Sequence, residues 1–139
     1  GEFFGTREKE EILTPIKTYG LEKYVICYGN QSGDALNNIF NQCDFAIGSL
    51  ARHRSGITHI KTLKNREYAA RGFGFIYSET DDDFEQMPYI LKVPADESPI
   101  DVPQLITFYQ QLSLSPETIR SSIQHLSWKE QMKQVISSL

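Results

Sequence analysis

The sequence predicts an α/β protein with a Rossmann-like, mainly parallel β-sheet and helices on both of its faces. Short runs of β-branched and aromatic residues alternate along the chain with amphipathic segments of helical period, a pattern typical of parallel sheets covered by helices. The 139 residues, of which 40% are hydrophobic, are enough for one globular unit with a real core. We therefore expect one domain over residues 1–139, which ends in a terminal helical region at 115–139.

The first half of the chain predicts two helices and two strands in alternation. In the first helix, Pro15 predicts either a kink or the start of a second helix capped by Thr14, and Gly20 ends the segment. Each strand is a short run of β-branched, aromatic or small residues, and a polar turn follows the first one. In chain order the predicted elements are helix 7–19, strand 24–29, helix 33–42, strand 44–50 and a polar loop at 51–61.

The second half begins with a helix that passes directly into a buried strand. Gly72 ends this helix, because glycine takes the left-handed capping conformation without steric cost. Further on, Ser115 is a helix cap and Pro116 is the first helical residue after it. In chain order the predicted elements are a helix from Leu63 to Gly72, strand 73–77, loop 79–88, strand 89–93, helix 102–112 and the terminal helical region.

Lys64 and Glu67 stand one turn apart near the start of the helix that precedes Gly72, so they share a face. A lysine beside a carboxylate at a helix start suits a phosphate and a sugar diol. The block that contains them consists of Lys64, Glu67, Tyr68, Ala70, Gly72 and Ile76. This block resembles the signature of glycosyl transferases group 1, the retaining nucleotide-sugar enzymes of the GT-B fold.

Three further segments fall in the order that the family shows. Residues 43–50 resemble its strand that ends in a small residue and a serine, and residues 24–29 resemble its preceding strand, which ends in glycine. Residues 127–129 resemble the Ser/Thr-Trp element that opens the family's last helix. The resemblance covers about residues 20–139 and is to the C-terminal, nucleotide-sugar-binding domain of these enzymes.

Two positions depart from the family pattern. The family often carries a pair of glutamates; Glu67 matches the second, whereas His59 stands near the position of the first, which is therefore missing or displaced. This departure concerns the sugar-contacting half of the site. Gly74 stands where the family usually has proline, and this affects only the turn into the following strand.

The resemblance implies the donor-binding half of a glycosyltransferase, which moves a sugar from a nucleotide sugar to an acceptor. Lys64 and Arg54 would be its catalytic residues, because they would stabilise the departing nucleoside diphosphate. Glu67 would accept hydrogen bonds from both ribose hydroxyls. The other substrate-binding residues would be Gly29, Asn30, Ser49, Gly56 and Leu63. The resemblance implies no metal and no cofactor besides the nucleotide-sugar donor.

Arg54 belongs to a basic cluster with Arg52 and His53, just after the carboxyl end of a predicted strand. Ligands of open α/β sheets bind beyond such ends. Arg54 is the better candidate of the three, because the nearby Gly56 lets backbone approach a phosphate closely. The alternative interpretation is a solvated basic loop with no ligand.

The start of the chain lacks the strand that opens a complete domain of this family. Gly1-Glu2-Phe3-Phe4-Gly5 leads directly into the first helix and resembles the glycine-rich turn after the family's second strand. The resemblance thus implies a domain truncated at its N-terminus and separated from the acceptor-binding N-terminal domain of the same protein. We expect the full-length parent to be the enzyme and this chain alone to be inactive.

A second class of function stays open, a non-catalytic nucleotide- or protein-binding α/β module such as a degenerate transferase relative. The missing first glutamate favours it. The net charge of −4 and the absence of a basic run argue against a nucleic-acid partner in either case. No apolar run approaches the ~20 residues that cross a bilayer. We expect a cytoplasmic protein, held at most peripherally at a membrane through the missing domain.

Three other predictions concern packing. The stretch Asp81-Asp82-Asp83 contains the Asp-x-Asp pattern that holds a metal in the unrelated GT-A fold, but here it predicts a solvated acidic loop. Cys27 and Cys43 lack metal or redox spacing and are expected to be buried, reduced thiols. Trp128 is expected to anchor the terminal helix to the domain through one apolar face. The other residues of that face are Met132, Val135 and Ile136.

Overall fold

The computed structural model describes residues 6–137, with side chains from residue 10 onward. The chain forms two compact units, which divide between Cys43 and Asp44. The prediction that residues 1–139 form one domain stays a prediction. The expected glycine-rich turn at residues 1–5 lies outside the described residues.

The N-terminal unit contains two helices, α1 (Thr6–Thr18) and α2 (Gly33–Phe40). Pro15 lies inside α1 and does not divide it, so the alternative in which a second helix begins there is wrong. The helix closes through Leu21, whose backbone N–H donates to the Ile16 carbonyl at 2.8 Å. Gly20, at φ 64°, takes the left-handed conformation of a helix end.

Residues 24–29 form no strand, so the strand predicted for this segment is wrong. Its apolar side chains face solvent, with Tyr24 83% and Ile26 65% exposed. A strand persists only when a neighbouring strand satisfies its backbone groups. The sheet found in residues 6–137 has three strands, and none of them comes from this segment. The backbone N–H groups of Tyr24 and Val25 instead donate to the Leu21 carbonyl at 2.8 and 2.9 Å, which makes a turn.

Both cysteines are free and exposed, so the expectation of buried thiols is wrong. Cys27 lies in the segment that forms no strand, and its predicted burial depended on that strand. Cys43 follows α2, and its thiol donates to the Ile39 carbonyl at 3.3 Å. That local bond places the Cys43 side chain along the end of the helix instead of in a core.

The C-terminal unit is an α/β structure with an open, parallel, three-stranded sheet. The strands are β1 (Ala46–Ile47), β2 (Phe75–Tyr77) and β3 (Ile90–Lys92), in the order β1-β2-β3. Its α-helices are α3 (Leu63–Arg71), α4 (Val102–Gln111), α5 (Pro116–Ser122) and α6 (Trp128–Ser137), with 3₁₀ helices at Arg52–Ser55 and Gln124–Leu126. This architecture is compatible with the predicted Rossmann-like fold.

Each regular strand is shorter than its prediction, but the parallel backbone contacts continue past the strand ends. The Gly48 N–H donates to the Ile76 carbonyl at 2.7 Å, and the Val93 N–H donates to the Tyr77 carbonyl at 3.1 Å. A parallel bridge also joins His59 to Thr80. The loops that follow the strands are therefore tied together at the carboxyl edge of the sheet.

The core of this unit is an aromatic cluster around the central strand. Phe75 and Tyr77 of β2 are fully buried, and they pack with the buried rings of Phe84 and Tyr89. The Phe75 and Phe84 rings meet edge-to-face with centroids 5.4 Å apart, an arrangement that aromatic pairs favour. The central strand β2 thus hydrogen-bonds to both β1 and β3, and its side chains also form much of the apolar core.

Glycine permits close backbone approach at two points in this unit. A Cβ on Gly48 would lie 2.8 Å from both the Asn65 Oδ1 and the Ile76 carbonyl, so only glycine lets α3 lie this close to the sheet. Gly72 ends α3 at φ 86°, as predicted, and a Cβ there would lie 2.5 Å from Pro116. Packing therefore requires glycine at both positions, and at Gly72 the left-handed conformation requires it as well.

The predicted anchoring role of Trp128 is wrong, because its side chain is 81% exposed. The predicted cap is present, since the Ser127 Oγ accepts from the Glu130 N–H at 3.4 Å. Met132, Val135 and Ile136 are exposed as well. Near the start of the helix, the Gln131 side chain donates to the His125 carbonyl at 2.8 Å. The apolar face of α6 therefore lies on the surface of the C-terminal unit.

Candidate functional site

The candidate site lies at the carboxyl edge of the parallel sheet, the edge where open α/β sheets bind ligands. Three segments meet there: the loop from β1 to α3, the loop after β2, and the loop after β3. The first of these carries Ser49, Arg54 and Gly56, and Leu63 and Lys64 begin the helix that follows it. The topology thus brings five of the eight predicted site residues to one edge of the unit.

Ser49 joins the loops that follow β1 and β2. It is buried, and its backbone carbonyl accepts from the Ser78 N–H at 3.0 Å and from the Ser78 hydroxyl at 3.3 Å. Gly56 ends the 3₁₀ helix Arg52–Ser55 at φ 68°, with its N–H on the His53 carbonyl at 2.9 Å. Both residues therefore shape the loop, Ser49 through its backbone carbonyl and Gly56 through its left-handed conformation.

Glu79, which the sequence analysis did not select, holds the start of that 3₁₀ helix. It is 2% exposed, and its Oε1 accepts from the backbone N–H groups of Arg52, at 2.6 Å, and His53, at 3.3 Å. A carboxylate at the start of a helix satisfies N–H groups that have no partner inside it. The sequence signal for this role was an acidic residue directly after a buried strand.

Two buried polar atoms in this region have no hydrogen-bond partner among the described residues, the Glu79 Oε2 and the His53 Nδ1. Buried polar atoms are normally paired, so unpaired ones mark places where water or a ligand can be bound. The Glu79 side chain fixes the 3₁₀ helix at the sheet edge, and His53 lies on that helix. This edge therefore has unused hydrogen-bonding capacity.

His53 and Arg54 converge on one carboxylate, that of Glu97 in the loop after β3. The Glu97 Oε1 lies 3.0 Å from the His53 Nε2 and accepts from the Arg54 Nε at 2.8 Å. The Glu97 Oε2 accepts from a terminal nitrogen of Arg54, which completes a two-pronged contact. Hydrogen bonds lower the pKa of Glu97 to about 2, and the bond from Arg54 contributes more than the bond from His53.

The first two side chains of α3 are exposed, as a phosphate-binding helix start requires. Thr62 caps the helix, since its side chain accepts from the Asn65 N–H. Leu63 is 84% exposed and Lys64 is exposed as well. Glu67 pairs with Arg71, whose terminal nitrogen lies 3.0 Å from the Glu67 carboxylate, and this is a surface pair one turn along the helix.

The loop after β2 is not the solvated acidic loop that was expected. Asp81 is fully buried, and its carboxylate accepts from the Asn65 side chain at 3.1 Å and from Arg66 at 3.1 and 3.2 Å. Arg66 also contacts Asp83. Burial by itself lowers the pKa of Arg66, but the two aspartates outweigh it and raise the pKa overall. The prediction failed because Asp81 has its partners on α3, far from it in sequence.

This buried network positions the first turn of α3. Asn65 is 0% exposed and lies against Gly48 at the end of β1, while its amide donates to Asp81. Its Oδ1 is another buried atom without a partner in the described part of the chain. Because the polar contacts of Asn65 and Arg66 fix the helix face that points inward, Lys64 and Glu67 are left on the outward side.

A pocket of about 220 Å³ opens beside the Glu97 loop. Its apolar wall is built by Leu50, Val93 and Ile100, and its polar rim includes Asp96, Ser98 and Gln104. Asp96 accepts hydrogen bonds from Ser98 through both the backbone N–H, at 2.8 Å, and the hydroxyl. These bonds form a tight turn that carries Glu97.

Gly29 and Asn30 lie in the N-terminal unit, so they belong to a different unit from the other predicted site residues. Gly29 has φ 73°, and the Gln31 side chain donates to the Tyr28 carbonyl at 2.6 Å. The chain bends at Asn30, but this bend does not follow a strand. The expectation that these residues end a strand of the sheet is wrong.

No group of three or more histidine, cysteine, aspartate or glutamate side chains is placed to hold a metal ion within the described residues. Over the same span, none of the helices combines the length and apolar character needed to cross a membrane. Comparison with protein-family models, curated proteins and solved structures finds no match to this chain. The resemblance to glycosyl transferases group 1 therefore stays a prediction.

Proposed function

We propose that this chain is the donor-binding half of a glycosyltransferase, and that it binds the nucleoside diphosphate part of a nucleotide sugar. One observation carries the proposal: at the carboxyl edge of a parallel sheet, Arg54 and His53 hold a carboxylate with three donor nitrogens. A planar arginine fork that grips a carboxylate also fits a phosphate, since both present two oxygens at similar spacing. The site already binds an anion at the place where such folds bind ligands.

The exposed start of α3 supplies a second anion-binding element. Free backbone N–H groups and the helix dipole favour a phosphate there, and the exposed Lys64 adds a positive charge. In a sugar transfer, Lys64 and Arg54 would stabilise the negative charge that develops on the departing nucleoside diphosphate. The acceptor would be held by a separate N-terminal domain of the same protein, as the family resemblance implies.

Glu67 would hold the ribose. It lies one turn beyond Lys64 on the exposed side of α3, and its present partner is Arg71. That surface pair is worth only about 0.2 to 0.5 kcal/mol, because it is a one-turn contact between solvated side chains. Hydrogen bonds from two ribose hydroxyls to the carboxylate are each worth about 1.5 to 3 kcal/mol, so a bound ribose would replace the pair.

Calorimetry with UDP, GDP and ADP tests the proposal. We expect one of these nucleotides to bind, and Arg54→Gln or Lys64→Gln to weaken binding. Glu67→Ala should weaken binding of ribonucleotides about a hundredfold, because two charge-assisted hydrogen bonds are lost. The loss should be smaller for 2′-deoxy analogues, because one of the two hydroxyls is already absent from them. Lys129→Gln, which removes a surface charge on α6, is the matched control. Failure of all three nucleotides to bind at millimolar concentration would contradict the proposal.

A non-catalytic binding module is the second candidate, and the surface of α6 favours it. Trp128 and Ile136 are 81% and 68% exposed, which is unusual for a contiguous apolar face. The family's first glutamate is missing or displaced, since position 59 is His59, and this favours the same alternative. Turnover of a nucleotide sugar by a protein that contains this chain, abolished by Lys64→Gln, would exclude the non-catalytic alternative.

A further inference from the structure

The contact of Glu97 with His53 and Arg54 has the geometry of an occupied anion site. The two carboxylate oxygens meet three nitrogens, the His53 Nε2 at 3.0 Å, the Arg54 Nε at 2.8 Å and a terminal nitrogen of Arg54. The partners are more than 40 residues apart in sequence, with separations of 44 and 43. The contact therefore depends on the fold, which brings the loops after β1 and β3 to the same edge.

The side of this contact formed by His53 and Arg54 is held in place by Glu79. Buried Glu79 holds the backbone N–H groups of Arg52 and His53, and thus fixes the 3₁₀ helix on which His53 and Arg54 follow each other. The His53 side chain is only 21% exposed, so its ring has little freedom to turn away. Arg54, at 65% exposed, is the more accessible arm of the pair.

Glu97, the other side of the contact, lies in a turn formed by Asp96 and Ser98. Asp96 accepts from the Ser98 backbone N–H and hydroxyl, which closes a turn around Glu97 without using the Glu97 side chain. The Glu97 carboxylate is 63% exposed and can leave the contact while the turn stays closed. An exposed ion pair of this kind is screened by solvent and salt, so a ligand with more negative charge can displace it.

We propose that His53 and Arg54 form a clamp for a phosphate group, and that Glu97 is an internal occupant which the ligand must displace. The inference deepens the proposed function and rests on it for the identity of the ligand, a nucleoside diphosphate. Glu97 then acts as a competitor built into the site. It keeps the clamp closed on a carboxylate when no donor is bound, and it lowers the apparent affinity for the donor.

The ionisation of Glu97 agrees with this role. The hydrogen bonds from Arg54 and His53 lower its pKa to about 2, so the carboxylate is charged at neutral pH. At that pH the charge is removed by substitution. Glu97→Gln keeps the size of the side chain but removes the charge and one of the two acceptor oxygens, which makes it the variant of choice.

The main experiment measures binding of inorganic pyrophosphate and of UDP, GDP and ADP to the full chain by calorimetry at low salt. Glu97→Gln should bind the clamped ligand about twofold to fivefold more tightly than the unmodified chain, the range expected for loss of one exposed ion pair. Glu130→Gln removes the same charge from an exposed pair with Lys133 on α6 and should bind like the unmodified chain. Arg54→Gln should bind weakly, and adding Glu97→Gln to it should give no gain.

The outcomes separate the two proposals. If Glu97→Gln binds no more tightly than the unmodified chain while Arg54→Gln and Glu67→Ala still weaken nucleotide binding, the clamp proposal fails and the proposed function survives. If Glu97→Gln tightens pyrophosphate binding but no nucleotide binds better than pyrophosphate, the clamp stands and the proposed function fails. If Glu130→Gln increases the binding affinity as much as Glu97→Gln does, the increase is a general charge effect and the clamp proposal fails.

A second measurement needs no ligand. Carboxyl carbon NMR should show Glu97 titrating near pH 2 in the unmodified chain and closer to the usual range of glutamate in Arg54→Gln. The same titration curve in both proteins would show that Glu97 does not occupy the clamp, and would overturn the proposal.

Discussion

Residues 24–29 and residues 73–77 have similar composition, yet only the second segment contains a strand. Both are rich in aromatic and β-branched residues, Tyr-Val-Ile-Cys-Tyr-Gly in the first and Phe-Gly-Phe-Ile-Tyr in the second. Phe75, Ile76 and Tyr77 are fully buried as the central strand, whereas Tyr24 and Ile26 are exposed. The central strand has a parallel partner on each side, and the N-terminal segment has none among the described residues. Composition alone therefore does not distinguish a strand from an exposed segment.

The largest expected difference between the two segments is in stability. Phe75→Ala should lower the free energy of unfolding by about 3 to 5 kcal/mol, because it leaves a cavity in a fully buried aromatic cluster. Ile26→Ala should change it by less than about 0.5 kcal/mol, because the side chain is already in water. Urea unfolding followed by circular dichroism measures both. A large loss in Ile26→Ala would show that residues 24–29 are packed, and would break the comparison.

The next effect concerns the loop that follows the central strand. Asp81→Ala should cost about 3 kcal/mol, since it leaves the Arg66 guanidinium and the Asn65 amide without their buried partner. The neighbouring Asp82 is exposed, so Asp82→Ala should be nearly neutral. The same urea titration measures this pair. Equal effects of the two substitutions would restore the interpretation of residues 81–83 as a solvated acidic loop.

A smaller effect should depend on pH. Burial opposes ionisation of Glu85, but hydrogen bonds from Lys92, the Asp81 backbone and Tyr77 lower its pKa overall below the usual 4.5. Glu85 therefore stabilises the fold above pH 4.5, and this contribution is lost as the pH falls through the lowered value. Glu85→Gln should remove about 1 kcal/mol at neutral pH and less in acid, as expected for charge-assisted bonds at a partly exposed site. Thermal unfolding at pH 7 and pH 3 checks this; a loss of equal size at both values would contradict it.

The smallest expected effect is at Trp128. Its side chain is 81% exposed, so Trp128→Ala should lower the free energy of unfolding by less than about 0.5 kcal/mol. Phe84→Ala, which truncates a fully buried ring, is the comparison and should cost several kcal/mol. Tryptophan fluorescence of the unmodified chain provides an independent check, because an exposed indole emits at long wavelength. A strongly blue-shifted spectrum would show that Trp128 is buried against part of the protein.

Local signals predicted the helices of the C-terminal unit well. The expected helix 102–112 is found at Val102–Gln111, and Ser115 and Pro116 begin α5 as predicted, with the Ser115 hydroxyl accepting from the Thr118 N–H. Gly72 ends α3 in the left-handed conformation. Capping and termination depend on residues within one turn of each other, which is why sequence patterns suffice for them.

The candidate site was only partly predictable. The sequence pointed to Arg54 and to the exposed start of α3 at Lys64, and the structure places both at the carboxyl edge of the sheet. It did not point to Glu79 or Glu97, whose partners lie 27 and 43 residues away along the chain. Contacts at such separations leave no periodic signal, because side chains that meet through a fold are unrelated in sequence spacing.

The sequence by itself determined the α/β class, the helix boundaries and the basic loop after β1, because these follow from short-range periodicity, caps and composition. The tertiary structure alone decided which apolar segments became strands, which acidic residues were buried, and which carboxylate His53 and Arg54 hold. The physical reason is the same in each case. A strand needs a neighbouring backbone, and a carboxylate held in one position needs a donor. In this chain the partners of Ile76, Asp81 and Glu97 come from distant segments.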